Sequence, residues 1–431
     1  MDIMNLEGKD MYELAKKIFP INRSITGDGV RETLSILKNI CAELQIHKIE
    51  SGKKVFDWIV PKEWNIEEGY IEDEKGTRII DFKENNLHIV GYSMPVDRWV
   101  ELDELFSYIY TQPDQPDAIP YVTSYYTKRY GFCMAENMKK SLKPGQYHMV
   151  IKSSFSDGYM NWGEILIKGD KEDEICFSTN ICHPSLGNNE TSGPVVLSYL
   201  AKWISSMGDR RYSYRFLFLP ETIGSIAYIS QNLAHMKKHI KAGFVVTCVG
   251  DDNHYSYIES RKGDTLADKV LKHILKWNCP DYKSYSFLKR GSDERQYCAP
   301  GVDLPFCVFC RSKFHEYEEY HTSKDDLNFI SIDGLSNSLS VLQKVVILLE
   351  YNRKYRTKIL CEPQLGKRGL YPTLSQKNTY EDSKKIQNFI AYADGCVDLV
   401  EISEKIQQSA ILMIPVIEQL IKEEIVEIIN M

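Results

Sequence analysis

"EICFSTNICHPSLGNNETSGPVVLSYL", Glu174 to Leu200, decides the fold of this chain. Its first part, "EICFSTNI", is a short apolar run with a β-branched bias and reads as a buried strand. The run stops at His183. A tight polar segment follows, "PSLGNNET", and then "GPVVLSYLAKWISSM" carries helical spacing. A strand, a polar loop and a helix form one unit of an α/β domain.

Working outward, the same alternation recurs. "YSYRFLFLP" is strand-like, "GSIAYISQNLAHMKKHI" helical, "AGFVVTCVG" strand-like, "DTLADKVLKHILKW" helical and "LPFCVFC" strand-like. "SIDGLSNSLSVLQKVVILLEYNR" closes the region as a long helix. Strands alternating with helices predict a mainly parallel central sheet, with chemistry just beyond the strand ends. Upstream, Asp10 to Phe19 and Val30 to Leu44 have helical spacing and flank the loop "PINRSITGDG". "KVFDWIVPKEW", "GYIEDEKGTRIIDF" and "NNLHIVGYS" read as short strands. "TQPDQPDAIPYVTSYY" reads as a long proline-rich loop, and "GQYHMVIKSSFSDGYMNWGEILIKG" as a hairpin.

The 431 residues exceed what one core organises and imply two or three domains. The net charge of −7 argues against nonspecific binding to nucleic acid or anionic lipid. No stretch reads as a bilayer span, and the first residues carry no basic start followed by an apolar block. The eleven cysteines show no framework spacing, and the lone CxxC of Cys307 and Cys310 sits in a strand-like run. Reduced thiols and a cytoplasmic location are expected. The tail has three short amphipathic helical stretches and a final strand-like one, the order of a winged helix-turn-helix. Tyr380 to Met431 holds four lysines against ten acidic residues, a net charge of −6. A major-groove reader needs arginine or lysine on its recognition helix. The tail is therefore expected to serve association, homo-oligomerisation included, rather than DNA binding.

Candidate chemistry falls at successive strand ends: His183, Glu221, the stretch Thr247 to Asp251, and later Tyr320 and His321 in "EYEEYHTSKDD". Taken singly, each has a structural explanation, as a strand-end hydrogen-bonding group or a helix cap. Together they favour a site of imidazole ligands with a carboxylate base.

The order His183, "NNETSG", "ETIG", "TCVG", "YHTSKDD" resembles the zinc-dependent exopeptidase fold of bacterial aminopeptidases and glutaminyl cyclases. "PINRSITGDGVRETL", "ICHPS", "GSDERQY" and "CEPQLGKRGLYPTLS" are similar to recurring phrases of an uncharacterised bacterial branch with an inserted domain and a C-terminal winged helix. The resemblance covers nearly the whole chain. It implies an α/β catalytic domain with a mixed, mainly parallel sheet flanked by helices (1–64 and 162–362), an inserted β-rich domain (65–161) and a C-terminal winged helix-turn-helix-like domain (363–431). The family's metal histidines fall on His183 and His321, and its catalytic base on Glu221. Its bridging aspartate falls on Asn189, and two further carboxylate ligands fall on Thr222 and Thr247. Its oxyanion-stabilising hydroxyl falls on Tyr320.

Three neutral residues at carboxylate positions make a two-zinc site improbable, since a bridging carboxylate offsets the repulsion of ions about 3.5–4 Å apart. One zinc ion is expected, held by His183, His321 and Asn189, with Glu190, Glu221 or Asp251 as further donors. The implied activity is hydrolysis of an amide in a peptide or small molecule. Arg23, Tyr125 with the rest of the "PYVTSYY" segment, Arg129, Asp293 and Glu294 are the expected substrate contacts. The rival expectation is a metal-poor, non-catalytic binding protein on the same fold.

Overall fold

The run Glu174–Asn180 forms a strand in which every residue is buried, and so does Ser213–Leu219. A computed structural model describes residues 3–370 and 377–429 of the chain. These two strands and Ile240–Val246 and Phe306–Cys310 lie side by side and parallel. Near-continuous burial follows, because helices cover both faces of such a sheet. Antiparallel pairings on both sides, and a final parallel pair of 256–258 with 283–285, extend it to eight strands, in the order 45–50, 159–167, 213–219, 174–180, 240–246, 306–310, 256–258, 283–285. The outcome is a mixed sheet with a parallel centre.

The small residues of "TSGP" have a steric reason. A Cβ on Gly193 would stand 2.2 Å from Thr179 Oγ1 and 2.8 Å from the carbonyl oxygen of Val246. Only glycine lets the helix Ser192–Ser206 begin hard against two strands. The helix Ile223–His239 follows the next strand in the same way.

A second, four-stranded antiparallel sheet is inserted in the chain between the central-sheet strands Gln45–Glu50 and Tyr159–Ile167. Its order is Arg78–Asp81, Glu63–Asp73, Gln146–Ser156, Val96–Glu101. Ile71, Ile80, Val100, Phe132 and Met149 form its core. The sequence reading differs from the structure in three places here. Gln146–Ser156 and Tyr159–Ile167 do not pair as a hairpin; the first pairs with Glu63–Asp73 and the second with Gln45–Glu50 in the central sheet. Alternation and an Asp-Gly turn report strands and a reversal, but not the partner. "NNLH" is a 3-10 turn rather than a strand, because the Asn85 side chain accepts the Leu87 N–H (2.9 Å) and closes the chain locally. The helix expected to run to Leu44 ends at Lys38.

The chain divides into two compact units, residues 1–265 with 283–339, and residues 266–282 with 340–431. In the second, the strand Lys354–Thr357 is central between Asp394–Asp398 and Val426–Ile429. Helices Lys377–Tyr392, Leu399–Lys405 and Ala410–Lys422 complete a winged helix. The helix Leu266–Asn278, expected with the α/β domain, belongs to this unit. His273, buried on it, bonds Glu404 through Nδ1 (2.6 Å) and accepts the Ala410 N–H at Nε2 (2.9 Å). Of the apolar residues on the third tail helix, Ile414 and Ile417 are buried and Leu412 is exposed.

The phrase beginning at Cys361 passes outside the described residues after 370. Contrary to the expectation of no candidate span, the helix Ile332–Tyr351 is long and apolar enough by length and composition. Over half of its most apolar window is buried inside the protein, as in the core helix of a globular domain.

Candidate functional site

Three neighbouring parallel strands end at the same edge of the central sheet, and each delivers one residue there. Glu221 lies two residues beyond Leu219, His183 three beyond Asn180, and Thr247 one beyond Val246. The loop 317–323 brings His321 to the same edge. Its imidazole and that of His183 have ring centroids 5.3 Å apart. Ser185, Thr222, Cys248 and His321 all adopt positive φ, between 49° and 65°. Left-handed backbone is costly for such residues, and strain of this kind gathers where a site over-determines the chain.

His183 is held from behind. Its Nδ1 faces a carboxylate oxygen of buried Glu190, and Glu190 also accepts the backbone N–H groups of Cys182 and His183 (3.1 Å for the latter). Burial first, and then the neighbouring charge positions of His321 and Arg23, keep the His183 pKa well below that of a free imidazole. The ring is therefore neutral, with Nδ1–H donating and a lone pair on Nε2. That lone pair points toward the Glu221 Oε2, 3.8 Å away. Burial pushes His321 down to about 3, so it is neutral too. Burial, and next the Asp293 carboxylate, push Glu221 up to about 8. An imidazole lone pair and a carboxylate facing one another call for a cation between them, either a proton or a metal ion.

Cys182, His183 and Glu190 form a cluster able to hold a metal ion, with ligand atoms within 4.8 Å of one another. Glu190 is already engaged by the backbone N–H groups of Cys182 and His183, the Cys182 thiol and His183 Nδ1, so the direction that opens to the cavity is His183 Nε2. Asn189 presents Oδ1 to His321 Nε2 at 3.1 Å and its amide nitrogen toward Thr247 Oγ1 and Cys248 Sγ, each at 3.5 Å. Asp325 fixes this arrangement by accepting the N–H groups of Asn188 (2.5 Å) and Asn189 (3.0 Å). A two-ion set does not fit, because Asn189, Thr222 and Thr247 are all uncharged. One ion fits the two neutral imidazoles with Glu221 alongside. Asp251 is not a donor, since it is committed to Asn188, Asn253 and Ser312.

Asn189→Asp is expected to tighten zinc binding. A unit charge about 4 Å away gains about 4 kcal/mol at an effective dielectric of 20, part of it returned as desolvation, so about 10–100-fold is expected. Competition against a fluorescent zinc chelator measures it; unchanged affinity would remove Asn189 from the ligand set.

His183, Glu221 and His321 open into a cavity of about 460 Å³, and Asn189 is not among its lining residues. Of the expected substrate contacts, Tyr125 lines it. Arg23 does not: it is buried, and its guanidinium is spent on the carbonyl oxygens of Ile18 and His183 and on Thr191 Oγ1. Arg129 holds the insert's own loop through the Thr123 carbonyl (2.7 Å) and Tyr110 Oη (3.3 Å). Asp293 and Glu294 lie beneath the cavity, fully buried. Asp293 Oδ1 accepts Thr222 N–H and Ser225 Oγ–H, each at 2.8 Å, and Glu294 accepts the N–H groups of Gly291 and Ser292.

Tyr320 is not among the lining residues. It stacks on His321 at 3.9 Å and so sets that ring's plane. Tyr121 is the tyrosine that both lines the cavity and lies against the two histidines. Its ring packs edge-on against both His183 (4.9 Å) and His321 (5.0 Å), and its hydroxyl bonds that of Tyr125 at 3.0 Å. Tyr126, in the expected "PYVTSYY" segment, also lines the cavity, and so do Trp58, Arg295 and Gln296, which were missed. "GSDERQY" was the right phrase for Arg295, but the short helix Glu294–Tyr297 turns the neighbouring acids inward.

Comparison with known proteins follows from this geometry. A family profile described as a domain of unknown function (DUF4910) matches residues 12–352, and a winged helix-turn-helix profile matches 353–428. The chain belongs to the DUF4910 family. A relative from Clostridium acetobutylicum is 43% identical over 400 residues, covering 92% of this chain and 91% of its own length. It bears the provisional name of a polysaccharide biosynthesis protein with an aminopeptidase-like domain. A crystal structure from the same organism, provisionally named a peptidase, superposes with a TM-score of 0.93 at 40% identity, over 99% of this DUF4910 chain and 97% of that one. The zinc aminopeptidase of Bacillus subtilis gives a TM-score of 0.57 at 12% identity, over 80% of this chain and 94% of its own. The last likeness establishes a shared fold.

Proposed function

We propose that this chain is a zinc-dependent hydrolase of an amide or peptide bond, with Glu221 as general base and one zinc ion held by His183 and His321. The observation that carries the reading is the neutral His183 Nε2 directed at Glu221 Oε2 in the floor of a cavity that His321 also lines. Zinc, when bound, polarises a carbonyl and acidifies water. Glu221 takes the proton of the attacking water and returns it to the leaving nitrogen as the C–N bond breaks. Tyr121, braced by Tyr125, supplies a hydroxyl toward the developing oxyanion, the role expected of Tyr320. Glu190 keeps His183 in the tautomer that leaves Nε2 free. Cys41, Cys133, Cys176, Cys182, Cys248 and Cys310 are buried thiols, which suits a reducing compartment such as the cytoplasm.

A second reading, a non-catalytic binding protein, draws support from the neutral Asn189, Thr222 and Thr247. Elemental analysis of chelator-free protein, followed by a hydrolysis screen, separates the two. The screen should hold aminoacyl amides, N-acyl amino acids and, given the Clostridium relative's name, acylated amino sugars. One zinc per chain and cleavage of at least one class are expected. Protein that binds no transition metal after zinc is supplied would leave only the binding reading.

A further inference from the structure

We propose that Arg295 is the specificity-determining residue of this cavity, anchoring the carboxylate of an amide substrate whose amino group is acylated rather than free. The inference rests on the hydrolase reading and narrows its substrate class.

Arg295 is exposed into the cavity. Its Nη2–H donates to Thr222 Oγ1 at 2.5 Å, which fixes one edge of the guanidinium. Among the described residues no carboxylate oxygen lies within ion-pair distance of it. Arginine is the residue suited to planar, two-point recognition of a carboxylate, and here its fork is held by a neutral hydroxyl and makes no ion-pair contact, while the Glu221 and Asp293 carboxylates act on it only from longer range.

Charges in the remaining lining point the same way. A free α-ammonium needs a fixed carboxylate to receive it. Glu221 is the only carboxylate among the described lining residues, and the hydrolase reading assigns it to proton transfer. The next residue, Thr222, is neutral, and its hydroxyl is spent on bracing Arg295. An ammonium would thus meet a like charge and no second acid. Trp58, Tyr121, Tyr125 and Tyr126 supply aromatic faces around the rest of the cavity. They offer apolar area at low entropic cost to a ring or an acyl group.

The test is calorimetric binding to the zinc-supplied full chain carrying Glu221→Gln, so that no turnover intervenes. The probes are N-acetyl-tyrosine, N-acetyl-tyrosine amide and tyrosine amide. N-acetyl-tyrosine is expected to bind about tenfold or more tighter than either amide, the scale of a charge-assisted hydrogen bond. Adding Arg295→Gln is expected to bring the acid and its amide within about twofold of each other. Because Arg295 is exposed, the double variant should melt with its parent, and a melting scan checks this. Equal binding of acid and amide, preference for tyrosine amide, a preference that survives Arg295→Gln, or no binding at millimolar concentration would each overturn the proposal. An absence of hydrolysis by the wild-type chain would sink the hydrolase reading and leave this binding result standing.

Discussion

Glu221→Gln is expected to lower turnover on any amide found by screening by about 10²–10⁴-fold, at unchanged zinc content. Glutamine keeps the shape of the side chain and cannot take a proton. Its amide oxygen still faces His183, so the two imidazoles retain the ion. Loss of zinc in this variant would make Glu221 a ligand and move the base elsewhere. A second readout follows from burial. The folded pKa of Glu221, about 8, lies above the ordinary value near 4.5. The stability this group contributes in metal-free protein is therefore full below about 4.5 and is lost as pH rises through about 8. Glu221→Gln removes that loss, and its stability should fall less over the same range. Urea midpoints at successive pH values measure the difference.

His183→Ala is expected to remove zinc and to destabilise the protein by about 1–3 kcal/mol. The structure places His183 against Glu190, whose side chain is about 1% exposed. Truncation leaves a buried carboxylate with the backbone donors of Cys182 and His183 and the Cys182 thiol, and because the acceptor is charged the cost lies toward the upper end of that range. His321→Ala should remove zinc at much smaller cost in stability, since that ring is only partly buried and bonds a neutral amide. Urea denaturation and zinc content, measured together, separate the two. A His183→Ala protein as stable as wild type would show that Glu190 does not depend on the imidazole.

The strand-end histidine, the acid two residues past the next strand, and the "YHT" loop were legible because each sits beside an unmistakable buried strand or a recognisable phrase. Residues that act across the fold were not. Asp325 positions Asn189 from 136 residues away, and only the assembled loops show it. Tyr121 and Tyr320 are both tyrosines in aromatic loops, and no local pattern says which one faces the histidines. Arg23 had the composition of a substrate contact. Its use as an internal clamp on two carbonyl oxygens depends on where Ile18 and His183 end up. The same limit hid the partner of Tyr159–Ile167, since strand patterning carries no address.

The proline-rich loop of the insert also has a bearing on when the site comes into being. Its Tyr121 N–H donates to the His321 carbonyl (2.8 Å), and Ile119 and Ser323 exchange hydrogen bonds across 204 residues of sequence. Closing so long a loop is entropically dear and comes late in folding. A nascent chain has made His183 and Glu221 long before it has made the residues that seat Tyr121 beside them. During synthesis the strand-end groups therefore exist without their aromatic wall or second imidazole. The cavity matures only after roughly three-quarters of the polypeptide has left the ribosome.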